Sequence, residues 1–248
     1  MTFCAAQPRP GPRRSRAVAR SRNAEPIRRA LGTVIDDYNG DNFAHAGLGF
    51  VGGGYIAAWS RGARPIEYHP VPPGTPRWGM GWKQAVRRHY NHTVNVSVHG
   101  SSMATRPNYL SLDPTYRDAY GQPVLRITFD FPDNDVRMAN YVTDRAVEIA
   151  KLMGGEIVVP SYRSTPYSIV PYQTTHNTGG AIMGMDPQKS IVNRYLQSWD
   201  VSNLFVQSAC VYPQNPGDNP TGTVGALVYW TVQPIHEEYL KHQGGLVQ

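Results

Sequence analysis

Apolar and polar side chains alternate in three short runs, and this period-two pattern constrains the fold more than any other feature. The run T-V-N-V-S-V-H at 93–99 places its three valines on one face, and the runs at 108–112 and 124–130 repeat the alternation. Turn-forming residues separate the last two runs. The pattern predicts an antiparallel sheet with one solvated or ligand-facing side.

A long amphipathic helix is predicted after these runs. Pro132-Asp133-Asn134 opens it and Gly154-Gly155 stops it. Its apolar residues step by three and four along one face: Ala139, Val142, Ala146, Ile149 and Met153. Local patterns also predict helices at about 82–90, 190–197 and 223–232, and short strands at 55–59, 156–160 and 203–206.

The net charge of +6 is confined to the front of the 248-residue chain. Residues 1 to 29 hold eight arginines and a single acid, Glu25, which gives +7, so the remaining residues carry −1. Residues 1–26 lack periodicity and apolar content, which predicts a disordered tail. The alternative is a basic arm that grips phosphates. Because no aromatic residue is interleaved with the arginines to stack on bases, we expect no nucleic-acid partner.

Cysteine usage and hydropathy exclude several other classes. Cys4 and Cys210 lie far apart, which argues against a disulfide framework or a cysteine metal site. No run of apolar residues is long enough to span a membrane. Arg13-Arg14 resembles a twin-arginine export signal, but no apolar region follows it, so no export signal is expected in this chain.

Two further motifs are read as structural. Gly47, Gly49 and Gly52 match G-x-G-x-x-G, but polar residues precede them and no helix can open on them, as a dinucleotide site requires. A glycine-rich loop leading into a strand is expected instead. His89 and His92 have no evident third ligand nearby, so we interpret them as surface histidines and predict no metal site.

The stretch from 174 to 230 contains the candidate chemistry. His176 lies in T-T-H-N-T-G-G, where a histidine can act as a general base or simply fix a loop. Gly179 and Gly180 allow close approach of the backbone to a flat ligand. Asn219-Pro220-Thr221 opens the last helix, with Asn219 or Thr221 as N-cap, and that helix N-terminus would stabilise an anion.

These motifs together resemble a known family. H-N-T-G-G, then N-L-F-V-Q-S-A and N-P-T-G-T-V-G-A-L resemble the C-terminal part of the glucose-methanol-choline (GMC) oxidoreductases, FAD-dependent enzymes that oxidise alcohols. The earlier Y-N-G-D-N-F, G-L-G-F-V-G-G-G-Y and G-S-S-M-A-T-R-P-N-Y-L-S-L-D are similar to the branch containing bacterial gluconate and fructose dehydrogenase flavoprotein subunits. The resemblance runs from about residue 33 to 235.

The resemblance implies roles for individual residues. His176 would correspond to the catalytic histidine that takes the hydroxyl proton while hydride passes to flavin N5. Asn219 would correspond to the second active-site residue and bind the substrate oxygen. Gly179, Gly180, Asn219, Pro220 and Thr221 would lie at the flavin.

The same resemblance implies an α+β fold and a division of the chain. We expect an antiparallel-sheet substrate-binding part at 33–172 with flanking helices, a segment at 173–235 that forms the C-terminal piece of an FAD-binding domain, and a tail at 236–248. The family's N-terminal half, which holds the ADP part of FAD, is absent from this sequence. The chain is therefore expected to be incomplete alone, and the alternative is a non-catalytic fragment or interaction module.

Partners and location are implied in the same way. The substrate would be a sugar or sugar acid, and the missing flavin-binding half would be a partner. The electron acceptor would be a cytochrome c-type subunit or a quinone, and intact relatives of this branch would act on the periplasmic side of the inner membrane.

Overall fold

The computed structural model describes residues 16–18, 33–60, 70–90, 92–168 and 176–246. The chain forms two compact units that interleave along the sequence. The unit that we call the sheet unit comprises the described residues of Pro10–Gly100 and Val136–Ser164. The other, called the hairpin unit, takes its described residues from Ser101–Asp135 and Thr165–Gln248. The consecutive segments expected from the sequence stay a prediction.

The sheet unit is built on five antiparallel strands. In chain order they are β1 (Arg16–Val18), β2 (Thr33–Ile35), β3 (Gly54–Ser60), β4 (Val94–Gly100) and the later strand Ile157–Val159. Their spatial order is β2, β3, β4, β1 and Ile157–Val159. The strands predicted at 55–59, 93–99 and 156–160 are thereby confirmed.

The first strand differs from the expectation of a disordered tail. The backbone of Arg16–Val18 pairs with β4 on one side and with Ile157–Val159 on the other. The rest of residues 1–26 lies outside the described residues. A short strand inserted between two others needs only backbone hydrogen bonds, which composition does not reveal.

Two helices belong to this part of the chain, α1 (Gly79–His89) and α2 (Asp133–Leu152). The long helix packs a buried face against the sheet, but that face is rotated from the predicted one. Val142 and Ala146 are buried as expected, whereas Met153 follows the helix and is 45% exposed. The core cluster contains Phe50, Ile56, Val94, Val96, Met138, Val142, Ala146 and Ala150.

Strand β4 is buried on both faces at its first residues. Val94 and Val96 are buried as the alternation predicted, and Asn95 between them is also buried, with 1% of its surface exposed. The expectation of a solvated face is therefore wrong at this point. Alternation identifies which residues share a face, but what covers the second face depends on the rest of the chain.

The strand Ile157–Val159 of the sheet unit is named β8. The hairpin unit contains β5 (Ser102–Met103), β6 (Tyr109–Arg117), β7 (Pro123–Thr128) and β9 (Gln214–Asn215). As predicted, β6 and β7 pair antiparallel, but they form a sheet of their own rather than extending β4. The short strands β5 and β9 form another two-stranded sheet.

The helix predicted at 190–197 and the strand at 203–206 are wrong. The chain makes successive turns there, with isolated bridges joining Val192 to Ser198 and Gln197 to Phe205. The Asn193 side chain accepts hydrogen bonds from the amides of Tyr195 and Gln197 at 2.8 and 3.2 Å. Such side-chain to backbone bonds compete with helix formation, and Leu196 adopts a φ of 58°.

Helix α3 (Thr221–Pro234) confirms the helix predicted at 223–232 and leads into a π-helical turn, Ile235–Tyr239. The expected cap is wrong, because Pro220 occupies the N-cap with φ −77° and ψ −10°, and no side chain caps the helix. The proline ring fixes φ in the helical range, so the helix can begin there without Asn219 or Thr221 turning back to it.

Candidate active site

The candidate site rests on the second apolar core, which lies in the hairpin unit. Val192, Leu196, Val211 and Tyr212 form its buried centre. Met183 packs against it from the segment that follows His176, and Val224 and Leu227 pack against it from α3. The two stretches that the sequence singled out are thus anchored to one core, although they are far apart in the chain.

Backbone hydrogen bonds fix the segment after His176. The Ala181 amide donates to the Cys210 carbonyl and the Met183 amide donates to the Val211 carbonyl, both at 2.8 Å. The 3-10 turn Ala209–Val211 holds these carbonyls in place, and its N-cap is the Ser208 side chain. These bonds support the backbone of the segment that follows His176.

His176 itself is half-buried and has a φ of 62°. Left-handed backbone is disfavoured for a residue with a Cβ, so the surrounding contacts must maintain this conformation. Gly179 has a φ of 79° and is buried together with Gly180 and Thr178. Glycine suits position 179 because it adopts this φ without steric cost. The neighbouring Thr174 and Thr175 lie outside the described residues.

Asn219, Pro220 and Thr221 lie at the start of α3, and Asn219 and Thr221 are exposed while Pro220 is buried. The Tyr212 hydroxyl donates to the Pro220 carbonyl at 3.1 Å, which ties the helix start to the core. Burial raises the pKa of Tyr212 above its ordinary value, and a hydrogen bond with Thr223 acts in the opposite direction. This phenol stays neutral in the physiological range.

Asn215 connects the two candidate segments, and sequence reasoning missed it. Its Nδ2 donates to the His176 carbonyl at 3.3 Å, and its Oδ1 accepts from the Gly217 amide at 3.0 Å. Gly217 is two residues before Asn219. Asn215 is fully buried, with 0% exposed surface. In the sequence it stands in the run P-Q-N-P-G-D, which is typical of an irregular surface loop and carries no signal of burial.

An apolar groove of about 260 Å³ opens beside the helix start. It is lined by Met183, Tyr212, Pro213, Gln214, Pro216, Thr223 and Leu227. The groove is mostly carbon-lined and borders the first turn of α3, so it offers an apolar surface beside the helix start.

A metal centre and a membrane span have no support in the described part of the chain. No group of three or more His, Cys, Asp or Glu side chains comes together there. No described helix is long and apolar enough to cross a bilayer.

A shared core thus joins an exposed helix start to the segment that follows His176. Residues 104–227, half of the chain, match the family described as GMC oxidoreductase. The chain therefore belongs to the GMC oxidoreductase family. The mixed α/β architecture with small antiparallel sheets agrees with this membership.

Three curated proteins are similar in sequence to this chain. The chain is 48% identical to the gluconate 2-dehydrogenase flavoprotein of Pantoea cypripedii over 88% of this chain and 36% of the relative. It is 29% identical to the 2-methyl-1,2-propanediol dehydrogenase of Mycolicibacterium austroafricanum over 85% of this chain and 37% of that protein. It is 33% identical to the fructose dehydrogenase large subunit of Gluconobacter japonicus over 60% and 26%. The matched regions thus span between about a quarter and little more than a third of the length of these relatives.

Proposed function

We propose that this chain is the substrate-binding and catalytic C-terminal segment of an FAD-dependent dehydrogenase that oxidises an alcohol group of a sugar or sugar acid, a gluconate-like polyol. The observation that carries the proposal is the shared core in the hairpin unit, which anchors both the segment after His176 and helix α3. The 48% identity to a gluconate 2-dehydrogenase flavoprotein supports a polyol as the substrate class.

The start of α3 supports the flavin part of the proposal. No side chain caps the helix, and Thr221, Gly222 and Thr223 are exposed. A Cβ added at Gly222 would meet nothing within 4 Å, so the space above the first turn is open. The amides of a helix N-terminus stabilise negative charge, and the pyrimidine edge of a reduced flavin is negative. These residues fit FAD, with Gly179, Gly180, Asn219, Pro220 and Thr221 as its neighbours.

In the proposed alcohol oxidation, His176 and Asn219 have separate roles. His176 accepts the proton of the substrate hydroxyl, which weakens the adjacent C–H bond toward loss of hydride. The Asn219 side chain donates to the same substrate oxygen and orients the alcohol carbon. When bound, FAD supplies the two-electron acceptor for the hydride at N5. The imidazole then holds the proton until it is released to solvent.

The proposal includes partners for this chain. Since the chain spans 36% of the length of its gluconate dehydrogenase relative, a polypeptide equivalent to the rest of that protein would hold the ADP half of FAD. A cytochrome c-type subunit or a quinone would take the electrons. Location on the periplasmic side of the inner membrane belongs to the same proposal.

A chimaera tests the proposal directly. In it, the segment of the Pantoea cypripedii flavoprotein that matches this chain is replaced by this chain. We expect the purified chimaera to show flavin absorbance and to oxidise gluconate or a related polyol with an artificial electron acceptor. A chimaera that folds but contains no flavin would refute the flavoenzyme proposal and favour a non-catalytic interaction module.

His176→Gln in the chimaera tests the proton acceptor. Flavin content should remain, while kcat/KM should fall by about 10²-fold or more, the usual contribution of a general base. His242→Gln is the matched control, because His242 is an exposed histidine of the same unit. Retention of full turnover by His176→Gln would refute the role of His176 without touching the assignment of the cofactor.

A further inference from the structure

The side chain of Asn215 joins two loops through its two amide atoms. Its Nδ2 reaches the His176 carbonyl and its Oδ1 receives the Gly217 amide, at 3.3 and 3.0 Å. Its own backbone is fixed by pairing with Ser102 in the sheet formed by β5 and β9. A buried side chain therefore connects a strand pair, the histidine segment and the turn before α3.

The left-handed backbone conformation of His176 depends on contacts with neighbouring groups. Its φ of 62° lies in the left-handed region, where a non-glycine residue stays only if neighbouring groups determine its conformation. The peptide carbonyl held by Asn215 belongs to His176 itself, so this hydrogen bond acts directly on the backbone that aims the imidazole. Burial strengthens the effect, since a hydrogen bond shielded from water is electrostatically stronger.

We propose that Asn215 is a positioning residue: it fixes the His176 backbone relative to the turn that carries Asn219, so that base and substrate-binding amide keep one geometry. The inference rests on the proposed function for its consequence in catalysis. Its structural part requires an amide at position 215, because one neighbour presents a carbonyl oxygen and the other an N–H. Only a side chain with a donor and an acceptor serves both.

Asn215→Asp is the sharpest test because it changes one atom. The variant keeps an acceptor for the Gly217 amide but turns an oxygen toward the His176 carbonyl. Asn193→Asp is the matched control: Asn193 is also buried in this unit, with 3% exposed, and its Oδ1 accepts from the amides of Tyr195 and Gln197, which a carboxylate can equally do. Both variants bury a new carboxylate, so their difference isolates the lost donor.

The first readout is hydrogen exchange in the isolated chain, measured on peptides that cover 176–181. We expect exchange to accelerate at least tenfold in Asn215→Asp and to stay within twofold of the original chain in Asn193→Asp. If Asn215→Asp does not fold, Asn215→Ser takes its place, since its hydroxyl is too short to span both neighbours. Equal exchange in the position-215 variant and the control would overturn the inference.

The second readout is the kinetics of the chimaera. A displaced base lowers kcat by about tenfold or more, whereas KM stays within about twofold, because binding groups other than the histidine are unchanged. A variant that was only less stable would yield fewer flavin-containing active sites, but its kcat per flavin and its KM would be unchanged. If the chimaera is inactive yet exchange accelerates as expected, the proposed function fails and the positioning of the His176 backbone by Asn215 stands.

Discussion

The C-terminal segment contacts one buried side chain, Gln197, through several hydrogen bonds. Its Nε2 donates to the carbonyls of Ser202 and Gly244 at 2.7 and 2.8 Å, and its Oε1 accepts from the Leu246 amide at 2.8 Å. Gln197 is 1% exposed and Leu246 is 8% exposed. The segment expected to be a tail at 236–248 is therefore docked on the hairpin unit as far as its described residues extend.

Replacing Gln197 with leucine keeps the volume and removes all three hydrogen bonds. At about 1 kcal/mol for each net hydrogen bond, the free energy of unfolding should fall by about 3 kcal/mol if the segment stays docked. If the segment lifts off instead, its carbonyl and amide regain water, but burial of Leu246 is lost, which is worth roughly 1.5–3 kcal/mol. Both routes lead to a loss of similar size.

Urea unfolding and hydrogen exchange separate these routes. The Leu246 amide loses its acceptor in both cases, but it stays buried if the segment remains docked, so exchange at the unprotected rate is expected only for the undocked segment. Gln207→Leu is the control, because Gln207 is exposed in the same unit. If Gln197→Leu unfolds within about 0.5 kcal/mol of the original chain, the hydrogen bonds of Gln197 do not stabilise the hairpin unit and the reasoning is refuted.

Two further predictions concern stability. Burial raises the pKa of Tyr212 in the folded chain above its ordinary value of 10.0. The stability that the neutral phenol contributes is therefore complete below about pH 10 and is lost as pH rises further. Tyr212→Phe should flatten this decline, measured by urea unfolding from about pH 8 to 11. Gly54→Ala should destabilise the chain by roughly 2 kcal/mol or more, since the added Cβ would lie 2.5 Å from the His99 carbonyl oxygen. Gly225→Ala inside α3 would meet nothing within 4 Å and should stabilise the chain by about 0.5–1 kcal/mol in the same assay.

Local patterns in the sequence predicted the regular elements of this chain. The valines of β4 and the residues of α2 show their periodicity over short windows, and the structure confirms both elements. The rotation of the buried face of α2 shows the limit of this reasoning. Ala139, Val142 and Ile149 lie near one stripe, but packing against β4 buries Met138 more completely than Ala139. Period alone does not decide which edge of an apolar stripe meets the sheet.

The irregular half of the chain was predicted less well for a physical reason. Between 190 and 206 the backbone is held by side-chain hydrogen bonds such as those of Asn193, and these leave no periodic trace. Asn215 and Gln197 act on partners 39 and 49 residues away. Family resemblance pointed to His176 and Asn219, but Asn215, which donates to the His176 carbonyl, became evident only through this long-range contact.

Helix α3 is apolar, and much of its surface is exposed. Its sequence, T-G-T-V-G-A-L-V-Y-W-T-V-Q-P, contains no charged residue. Val224 and Leu227 pack on the core of the hairpin unit, while Tyr229, Trp230 and Val232 are 82%, 55% and 50% exposed. An apolar helix with this much exposed surface is typical of one that another polypeptide covers. Under the proposed function, this surface would be covered by the part of the flavoprotein that corresponds to the remaining length of these relatives. The same proposal places the flavin at the start of this helix, so the exposed apolar face and the cofactor site would adjoin the same part of the protein.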